Sequence, residues 1–453
     1  MPKQSIYYVG SVEEVSHHAE PLQRKMPINL AAPEETLRLA QPGDLAIFSS
    51  EHFDRCRDAC RQLKQRRCAT LYAIDGILEW RNAWENRADE PACPWTMRPV
   101  LSHKVACIGQ SQTRVLDAWG NINKTETVGL PRLDAIQPTQ RRTDGEFRVL
   151  VMTAKTPGFT EQQVENTRRA LSDLKNWFEQ HPVVAGRRIQ PVWRLTGGLD
   201  RSIDVTNQAS DLSGGELRAV LKNVDAVITT PSTSILESML CGLPVASLEY
   251  NPCPSYLPTA WEISAACQID FVVRELIDRP AVKMLWQQTL LHDHLECEYG
   301  AADNAAGKRS ATDRMCELID RMMVTARQSV GAGLELAFPA KMLATSRAET
   351  LLLPEQSFNL QQLFPGHESF ANFDMMELQA ELAHARREIE YRQSLLDQAK
   401  SELAEAHAIL FSIEKHPIAG PIVKARRKML DWLGSWKKNK AKTERVAARD
   451  CSQ

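Results

Sequence analysis

The chain has 453 residues, of which 43% are hydrophobic and 25% charged, and its formal net charge is −2. This length allows two or three domains, and the composition excludes a fibrous or wholly disordered chain. The near-neutral charge gives no bulk attraction to nucleic acid, so no nucleic-acid partner is expected. The amino-terminal segment MPKQSIYYVGS lacks the apolar core of a signal peptide, and the eleven cysteines follow no repeating interval. We therefore expect a cytoplasmic protein with free thiols.

Short apolar runs alternate with amphipathic stretches in the amino-terminal part of the chain. The runs SIYYVGSV, DLAIFSS, ATLYAIDG and KVACIG predict buried strands, and FDRCRDACRQLKQR and SQTRVLDAWGN predict helices. Such alternation is typical of a parallel sheet that is covered by helices on both faces. We therefore predict a Rossmann-like lobe over residues 1–137, followed by a polar linker that contains Pro138 and Gly145.

The same alternation restarts after the linker. FRVLVMTA, RIQPVWRL, DAVITT and PVASLEY predict strands, and EQQVENTRRALSDLKNWFEQH, LSGGELRAVLKN and STSILESMLCG predict helices. The run ATDRMCELIDRMMVTARQS is predicted as the helix that closes this second Rossmann-like lobe, residues 146–328. Two successive α/β lobes form a cleft between them, and open α/β sheets bind ligands at the carboxyl ends of their strands.

The pattern changes towards the carboxyl terminus. Residues 329–373 hold several prolines and glycines and predict a connector. Across residues 378–410 apolar side chains recur every seven positions, and alanines fill most of a second seam, which predicts a coiled-coil helix over 374–413. The apolar positions are Leu382, Ile389, Leu396, Leu403 and Leu410. We expect this helix to form a homo-oligomer; packing back on the lobes is the alternative.

The segment 414–453 predicts a basic amphipathic tail. On a helix, residues 422–442 would gather two tryptophans and three aliphatic side chains on one side, next to eight lysines and arginines. This arrangement suits the headgroup layer of an anionic membrane, so we expect peripheral attachment to the inner face of the cell membrane. A solvated tail, or one that contacts RNA, is the alternative.

The segment 225–250, DAVITTPSTSILESMLCGLPVASLEY, carries the most chemical information. A predicted strand ends before Pro231, and three hydroxyl residues lead into a helix: Ser232, Thr233 and Ser234. Free backbone N–H groups and the positive end of the helix dipole suit such a turn to an anion. Glu237, about one turn into the helix, can reach the hydroxyls of a ribose. A capped helix without a ligand, as in any doubly wound sheet, is the alternative.

The order of these features resembles the donor-binding signature of GT-B glycosyltransferases: an acidic residue, an apolar strand, a hydroxyl cluster, Glu237 and then MLCGLPV. Similar segments occur in the sugar-nucleotide 2-epimerases and polyol-phosphate transferases of surface polysaccharide synthesis. The resemblance covers roughly residues 1–328, and VGLPRLD resembles the segment that closes the first lobe of these enzymes. It implies two lobes of the GT-B type, with the hydroxyl turn on the donor diphosphate and Glu237 on the ribose.

Other predicted strand ends of the second lobe carry further candidates for donor binding. Lys155 and Thr156 follow its first strand, where GT-B proteins often hold donor phosphates, and Arg194 ends the next strand. The alternative for each is an ordinary surface position. His292 and His294 would diverge on a helix, so no metal site is predicted. The resemblance implies no cofactor beyond the nucleoside-diphosphate sugar, since cationic groups can stabilise the leaving diphosphate.

The first lobe is expected to supply the acceptor site and a general base. Asp75 comes just past a predicted strand, and Glu79 follows in LYAIDGILEWRNAWEN, whose tryptophans could stack on sugar rings. His103, directly before KVACIG, is a second candidate base. The alternative is an acidic helix start with core tryptophans and a structural histidine.

These features predict a glycosyltransferase that moves a sugar from a nucleoside-diphosphate sugar to a surface-glycan or lipid-linked acceptor. A polyol-phosphate transferase or a sugar-nucleotide 2-epimerase of the same fold is the first alternative. A non-catalytic scaffold with a degenerate lobe pair is the second.

Overall fold

The protein is seen here as a computed structural model. It describes residues 4–79, 97–139, 145–206, 216–296 and 310–344, together with positions 386, 389, 392–405, 407, 408, 411, 421 and 428. The chain divides into two units, Met1–His367 and Glu368–Gln453. Both predicted α/β lobes lie in the first unit.

The described part of the first lobe contains a parallel sheet of six strands. The strands are β1 (Ile6–Val9), β2 (Asn29–Ala31), β3 (Leu45–Phe48), β4 (Ala69–Ala73), β5 (Lys104–Cys107) and β6 (Thr125–Thr127). Their order is β2-β1-β3-β4-β5-β6. The connecting helices are α1 (Val12–Gln23), α2 (Pro33–Leu39), α3 (Asp54–Gln65) and α4 (Gln110–Leu116). Strands β3, β4 and β5 are buried along their whole length, because helices cover both faces of the sheet.

The second lobe repeats this architecture. Its strands are β7 (Glu146–Met152), β8 (Val183–Val184), β9 (Arg187–Arg194), β10 (Ala226–Thr229), β11 (Val245–Leu248) and β12 (Trp261–Ile263), in the order β12-β11-β10-β7-β9-β8. Strand β8 pairs with β9 in antiparallel orientation, and the other pairs are parallel. The helices are α5 (Glu161–Gln180), α6 (Leu199–Ser202), α7 (Leu217–Leu221), α8 (Ser234–Leu240), α9 (Ile269–Asp278) and α10 (Ala281–His294). The prediction of two Rossmann-like lobes is confirmed.

The last helix of the lobes, α11 (Ala311–Gly331), packs on the first sheet rather than on the second. Its buried side chains Met315, Leu318 and Met322 belong to one apolar cluster with Tyr8 and Ile47. The prediction that this helix closes the second lobe is therefore wrong. The apolar stripe of an amphipathic helix shows which face is buried, but it does not show which sheet that face covers.

The segment after α11 also belongs to the first lobe. Met342 and Leu343 are buried in the same cluster, and their backbone N–H groups donate to the carboxylate of Glu126 at 2.7 and 3.1 Å. Lys104 Nζ donates to the same carboxylate at 2.8 Å, and the side chains of Lys104 and Glu126 are at most 1% exposed. The predicted connector 329–373 therefore begins with residues of the first lobe, because a buried ion pair anchors them there.

The described positions between 386 and 428 are helical. Ile389, Leu396 and Leu403, which are seven residues apart, are 65%, 50% and 57% exposed. Pairing of this helix with a second copy stays a prediction. Most of the predicted tail 422–442 lies outside the described residues. Within the part of the chain that the structure describes, no helix is both long and apolar enough to span a membrane.

Two glycines of the first lobe allow the chain to return from the second. A Cβ on Gly109 would lie 2.4 Å from the carbonyl carbon and oxygen of His294. Gly129 has a φ of +96°, and its Cβ would lie 2.5 Å from the carbonyl oxygen of Glu296. The backbone of residues 294–296, where the chain returns from the second lobe, thus lies directly against the first lobe. The Glu296 N–H donates to the carbonyl oxygen of Ile108 at 2.7 Å.

We expect Gly109→Ala to lower the free energy of unfolding by about 2 kcal/mol, because overpacking against backbone atoms cannot be relieved by a rotamer change. Urea unfolding followed by circular dichroism measures this loss. Gly145→Ala is the matched control, since no atom of the part of the chain that the structure describes lies within 4 Å of a Cβ at that position. Equal loss in the two variants would contradict the close approach at Gly109.

Candidate functional site

The direction of winding reverses beside the first strand of each sheet. Strand β1 lies between β2 and β3, and strand β7 lies between β9 and β10. Open α/β sheets bind ligands at the carboxyl ends of the strands next to such a reversal. In the second lobe these ends lead into residues 153–156 after β7 and residues 230–234 after β10.

The turn after β10 carries the predicted hydroxyl cluster. Ser232 and Ser234 are partly buried, and their hydroxyl oxygens are 2.5 Å apart. The Thr233 hydroxyl accepts a hydrogen bond from the backbone N–H of Ile77, in the first lobe, at 3.3 Å. A Cβ on Gly76 would lie 2.3 Å from the Thr233 oxygen. The turn therefore lies where the two lobes meet, and its hydroxyl protons can still be donated to an anion.

Threonine hydroxyls connect the loops at this edge of the second sheet. Thr230 Oγ1 accepts from the Ala154 backbone N–H at 2.8 Å. The Thr153 and Thr196 hydroxyl oxygens are 2.9 Å apart, and the Thr196 N–H also donates to Thr153 Oγ1 at 2.9 Å. These contacts hold the loops after β7, β9 and β10 in fixed relation to each other.

The predicted cationic candidates lie along the same edge. Lys155 and Thr156 are exposed directly after β7, and Arg194 is the partly buried last residue of β9. The Lys155 ammonium lies near enough to His17 of the first lobe to contribute to lowering the pKa of that imidazole. The fold therefore brings Lys155 to the side of the second lobe that faces the first.

Glu237 is buried in the first turn of α8, and an arginine near the end of the first lobe neutralises its charge. Arg132 Nη1 donates to Glu237 Oε1 at 2.7 Å. Arg132 belongs to the 3-10 turn Pro131–Leu133, and its Nη2 lies 3.5 Å from the carbonyl oxygen of Asp75. Arg132 was not among the predicted site residues. It occurs in VGLPRLD, but nothing local in that segment indicates which carboxylate it meets.

A cleft of about 530 Å³ opens beside the Arg132–Glu237 pair. Helix α1, residues 131–135, the start of α7 and the start of α11 form its walls. The side chains at this cleft include His17, Glu20, Arg24, Arg132, Arg218 and Glu237. Its volume is within the usual range of small-molecule sites, and it is lined by charges from both lobes.

Two adjacent histidines of α1 reach this region beside Asp75. The His17 and His18 ring centroids are 3.7 Å apart, and His18 Nε2 lies 3.6 Å from Asp75 Oδ2. Burial, together with the charges of His17 and Arg132, lowers the pKa of His18 to about 3. His18 is therefore uncharged at neutral pH.

Asp75 is in contact with solvent and has a raised pKa. Its side chain is 53% exposed, yet the protein around the carboxyl group raises its pKa, against the opposing effect of Arg132 and His17. A carboxylate with a raised pKa beside a neutral imidazole can accept a proton from a ligand hydroxyl.

Helix α1, and with it the two histidines, was not predicted, because the helix is polar and contains Pro21. A usable signal was present in the sequence. Ser11 and Glu14 form a capping box, in which the Ser11 hydroxyl accepts the Glu14 N–H at 3.3 Å and the Glu14 carboxylate accepts the Ser11 N–H at 3.0 Å.

The other two predicted bases differ in their positions. Glu79 is partly buried four residues after Asp75, and residues 80–85 lie outside the described residues. His103 precedes β5, so it lies at the amino edge of the first sheet, opposite the cleft. Its Nδ1 accepts the Thr70 N–H at 3.1 Å, and burial with two nearby lysines lowers its pKa to about 3. The prediction of His103 as a base in the cleft is therefore wrong.

Asp293, which lies between the two histidines that were set aside as metal ligands, is engaged in an ion pair. Asp293 Oδ2 accepts from Arg114 Nη2 at 2.5 Å. Over the described residues, no three His, Cys, Asp or Glu side chains are grouped in a way that could hold a metal ion.

No protein-family model and no curated protein sequence matches the chain. Solved structures of GT-B glycosyltransferases and epimerases are similar to it. S. aureus MnaA in its co-structure with UDP is 10% identical with a TM-score of 0.44, over 70% of this chain and 96% of that one. The wall teichoic acid polymerase TagF, soaked with CDPG, is 10% identical with a TM-score of 0.44, over 71% and 88%. TarM is 12% identical with a TM-score of 0.38, over 64% and 57%. At such identities the likeness concerns the fold alone and transfers no residue role.

We expect the neutral His18 to make the fold less stable as the pH falls. Between its ordinary pKa of 6.5 and its folded pKa of about 3, the unfolded chain binds a proton that the folded chain does not. The stabilisation is complete above pH 6.5 and decreases by about 1.4 kcal/mol for each pH unit below it.

Urea unfolding at pH 7 and pH 5 measures this effect. The wild type should lose about 2 kcal/mol more than His18→Gln over this interval. His17→Gln is the control. It should lose nearly as much stability as the wild type, because burial, the main cause of the lowered pKa of His18, stays in place. An equal loss in wild type and His18→Gln would show that His18 is not held neutral.

Proposed function

We propose that this protein is a glycosyltransferase, which moves a sugar from a nucleoside-diphosphate sugar on the second lobe to an acceptor hydroxyl on the first. The observation that carries the proposal is the cleft of about 530 Å³ at the meeting point of the lobes. Glu237 lines its second-lobe side, and His17 and Arg132 line its first-lobe side. Asp75 and His18 lie next to Arg132, and the hydroxyl turn 232–234 precedes Glu237 in the chain.

The donor would bind at the carboxyl edge of the second sheet. The Ser232 and Ser234 hydroxyls and the backbone N–H groups of their turn donate to the diphosphate, and Lys155 offsets its charge. Thr156 and Arg194 lie at the same edge and are further candidates for this role. Glu237 accepts hydrogen bonds from the ribose hydroxyls. Donors that are already in position would stabilise the charge that develops on the leaving diphosphate.

The first lobe would activate the acceptor. Asp75 takes the proton of the acceptor hydroxyl. The acceptor oxygen forms a bond to the anomeric carbon of the sugar while the bond between that carbon and the diphosphate breaks. The raised pKa of Asp75 brings its basicity closer to neutral pH, where proton transfer to a carboxylate is more effective. The neutral His18 lies beside it and adds no charge that would hold the proton back. Glu79 is the second candidate carboxylate.

The carboxyl-terminal part would bring the enzyme to its acceptor, a surface glycan or a lipid-linked glycan. The basic segment 422–442 would attach to an anionic membrane on the cytoplasmic side. The exposed heptad residues of the described helix, such as Leu396 and Leu403, would pair with a second copy of the chain.

A sugar-nucleotide 2-epimerase is the second candidate. The observation that favours it is the presence of several proton-transferring groups, His17, His18 and Asp75, close to Arg132, which itself pairs with Glu237 on the donor side. Such an enzyme needs groups that remove and return a proton on one sugar, and it needs no acceptor.

The first prediction concerns donor binding. Isothermal titration of the wild type with UDP, CDP, GDP and ADP should find at least one that binds, and Glu237→Ala and Ser232→Ala should each weaken that binding about tenfold, as expected for a lost hydrogen bond to a charged group. Ser172→Ala is the matched control, since its hydroxyl donates to the Arg168 carbonyl within α5. If none of the four nucleotides binds to the wild type, the proposal is wrong.

The second prediction concerns chemistry. Asp75→Asn should reduce sugar transfer about a hundredfold or more, as expected for loss of a general base, while donor affinity changes little. Nuclear magnetic resonance of the products, with donor alone and with donor plus acceptor, separates the two candidates. Conversion of the sugar in the absence of acceptor would decide for the epimerase. Cellular function that survives both Glu237→Ala and Asp75→Asn would decide for a scaffold.

A further inference from the structure

Arg132 is placed in the wall of the cleft with hydrogen-bonding capacity to spare. Its side chain is 20% exposed and forms an ion pair with Glu237, Nη1 to Oε1, at 2.7 Å. Its Nε is buried and has no hydrogen-bond partner among the described residues, and Nη2 makes a long contact of 3.5 Å with the carbonyl oxygen of Asp75. A guanidinium has five N–H donors, so this one has donors left for a ligand in the cleft.

Two further basic side chains, Lys155 and Arg218, lie near Arg132. Arg132 and Lys155 both contribute, after burial, to the lowered pKa of His17, so the three groups lie within electrostatic reach of one another. The guanidinium of Arg218 donates to the backbone carbonyl of Arg132. Arg132 of the first lobe and Arg218 of the second thus lie together at the cleft beside Glu237, which is the partner of Arg132.

We propose that Arg132 is a further donor-binding residue, which exchanges the Glu237 carboxylate for the diphosphate when a nucleoside diphosphate enters the cleft. The exchange frees Glu237 for the ribose hydroxyls, so that each member of the ion pair gains a ligand group matched to its charge. This inference rests on the proposed function, because the nucleoside diphosphate supplies both groups.

The exchange is expected because Arg132 can bind a phosphate more strongly than it binds the Glu237 carboxylate in this geometry. A guanidinium binds phosphate oxygens with two parallel hydrogen bonds, which an isolated carboxylate contact of one nitrogen does not match. Removing one partner of a largely buried ion pair leaves the other charge uncompensated. A pyrophosphate without a nucleoside would bind Arg132 and leave the buried charge of Glu237 uncompensated. The pair therefore selects for ligands that carry both a diphosphate and a ribose.

The test compares two variants that break the same ion pair from opposite sides. Isothermal titration, in buffer free of divalent cations, measures inorganic pyrophosphate and the best-binding nucleoside diphosphate with wild type, Arg132→Gln and Glu237→Gln. Arg132→Gln should weaken both ligands about tenfold, the effect of losing a charge-assisted contact. Glu237→Gln should instead strengthen pyrophosphate binding, by about threefold or more, because the competing carboxylate is gone.

Arg274→Gln is the matched control. Arg274 lies on α9 and is not among the side chains that line the cleft; its side chain is 49% exposed and it pairs with Asp270 at 2.9 Å, so this variant makes the same change of charge without touching the cleft. It should leave pyrophosphate affinity within about twofold, as is usual for an exposed charge. Arg132→Lys, which keeps the charge but not the fork, should bind pyrophosphate between wild type and Arg132→Gln, and it serves if the glutamine variant does not fold.

The outcomes separate the two proposals. If a nucleoside diphosphate binds to the wild type, but Glu237→Gln weakens pyrophosphate as Arg132→Gln does, the pair is a purely structural bridge. That result overturns this inference and leaves the proposed function standing. If neither nucleoside diphosphates nor pyrophosphate bind to the wild type, the proposed function itself is wrong.

Discussion

The geometry of the cleft depends on the contact of backbone with backbone where the chain returns from the second lobe to the first. Gly109 and Gly129 leave room for the main chain of residues 294–296, and no larger side chain fits at either position. The outgoing segment is bound to the returning one as well. The carboxylate of Asp134 accepts the N–H groups of Ala311 and Thr312, at 3.0 and 2.8 Å, and so caps α11 from outside the helix. Because the segment that leaves the first lobe is hydrogen-bonded to the segment that returns to it, the turn that carries Arg132 has a defined position relative to Glu237.

Electrostatics then gives this place its chemical character. Exposed pairs such as Arg24 and Glu20 are screened by solvent and contribute little. The pair of Arg132 and Glu237 is mostly buried, so each charge depends on the other or on a ligand for compensation. The low pKa of His18 prevents a further positive charge from developing beside Arg132. The cleft thus brings basic and acidic side chains of both lobes together, and an uncharged imidazole, His18, lies beside the carboxylate of Asp75.

The two halves of the site are held in different ways. On the second lobe, hydroxyls of Thr153, Thr196 and Thr230 connect three neighbouring loops, so this half of the site is organised by hydrogen bonds at one sheet edge. On the first lobe, α1 supplies the histidines and the segment after β4 supplies Asp75. That segment also makes the contact from Ile77 to Thr233. The contact between the lobes and the position of Asp75 are therefore properties of the same stretch of chain.

The sequence by itself determined the two α/β lobes, the strand ends that carry Lys155 and Ser232, and the helix start that carries Glu237. These features follow from buried strands alternating with amphipathic helices and from the direction of parallel strands, which are both local or nearly local properties. The same reasoning could have excluded His103, since a residue before a parallel strand lies at the amino edge of its sheet. Only the tertiary structure decided that α11 covers the first sheet and that Arg132 meets Glu237 across 105 residues of chain. An apolar stripe or a lone arginine fixes what kind of partner is needed, whereas the identity of that partner depends on how distant segments pack.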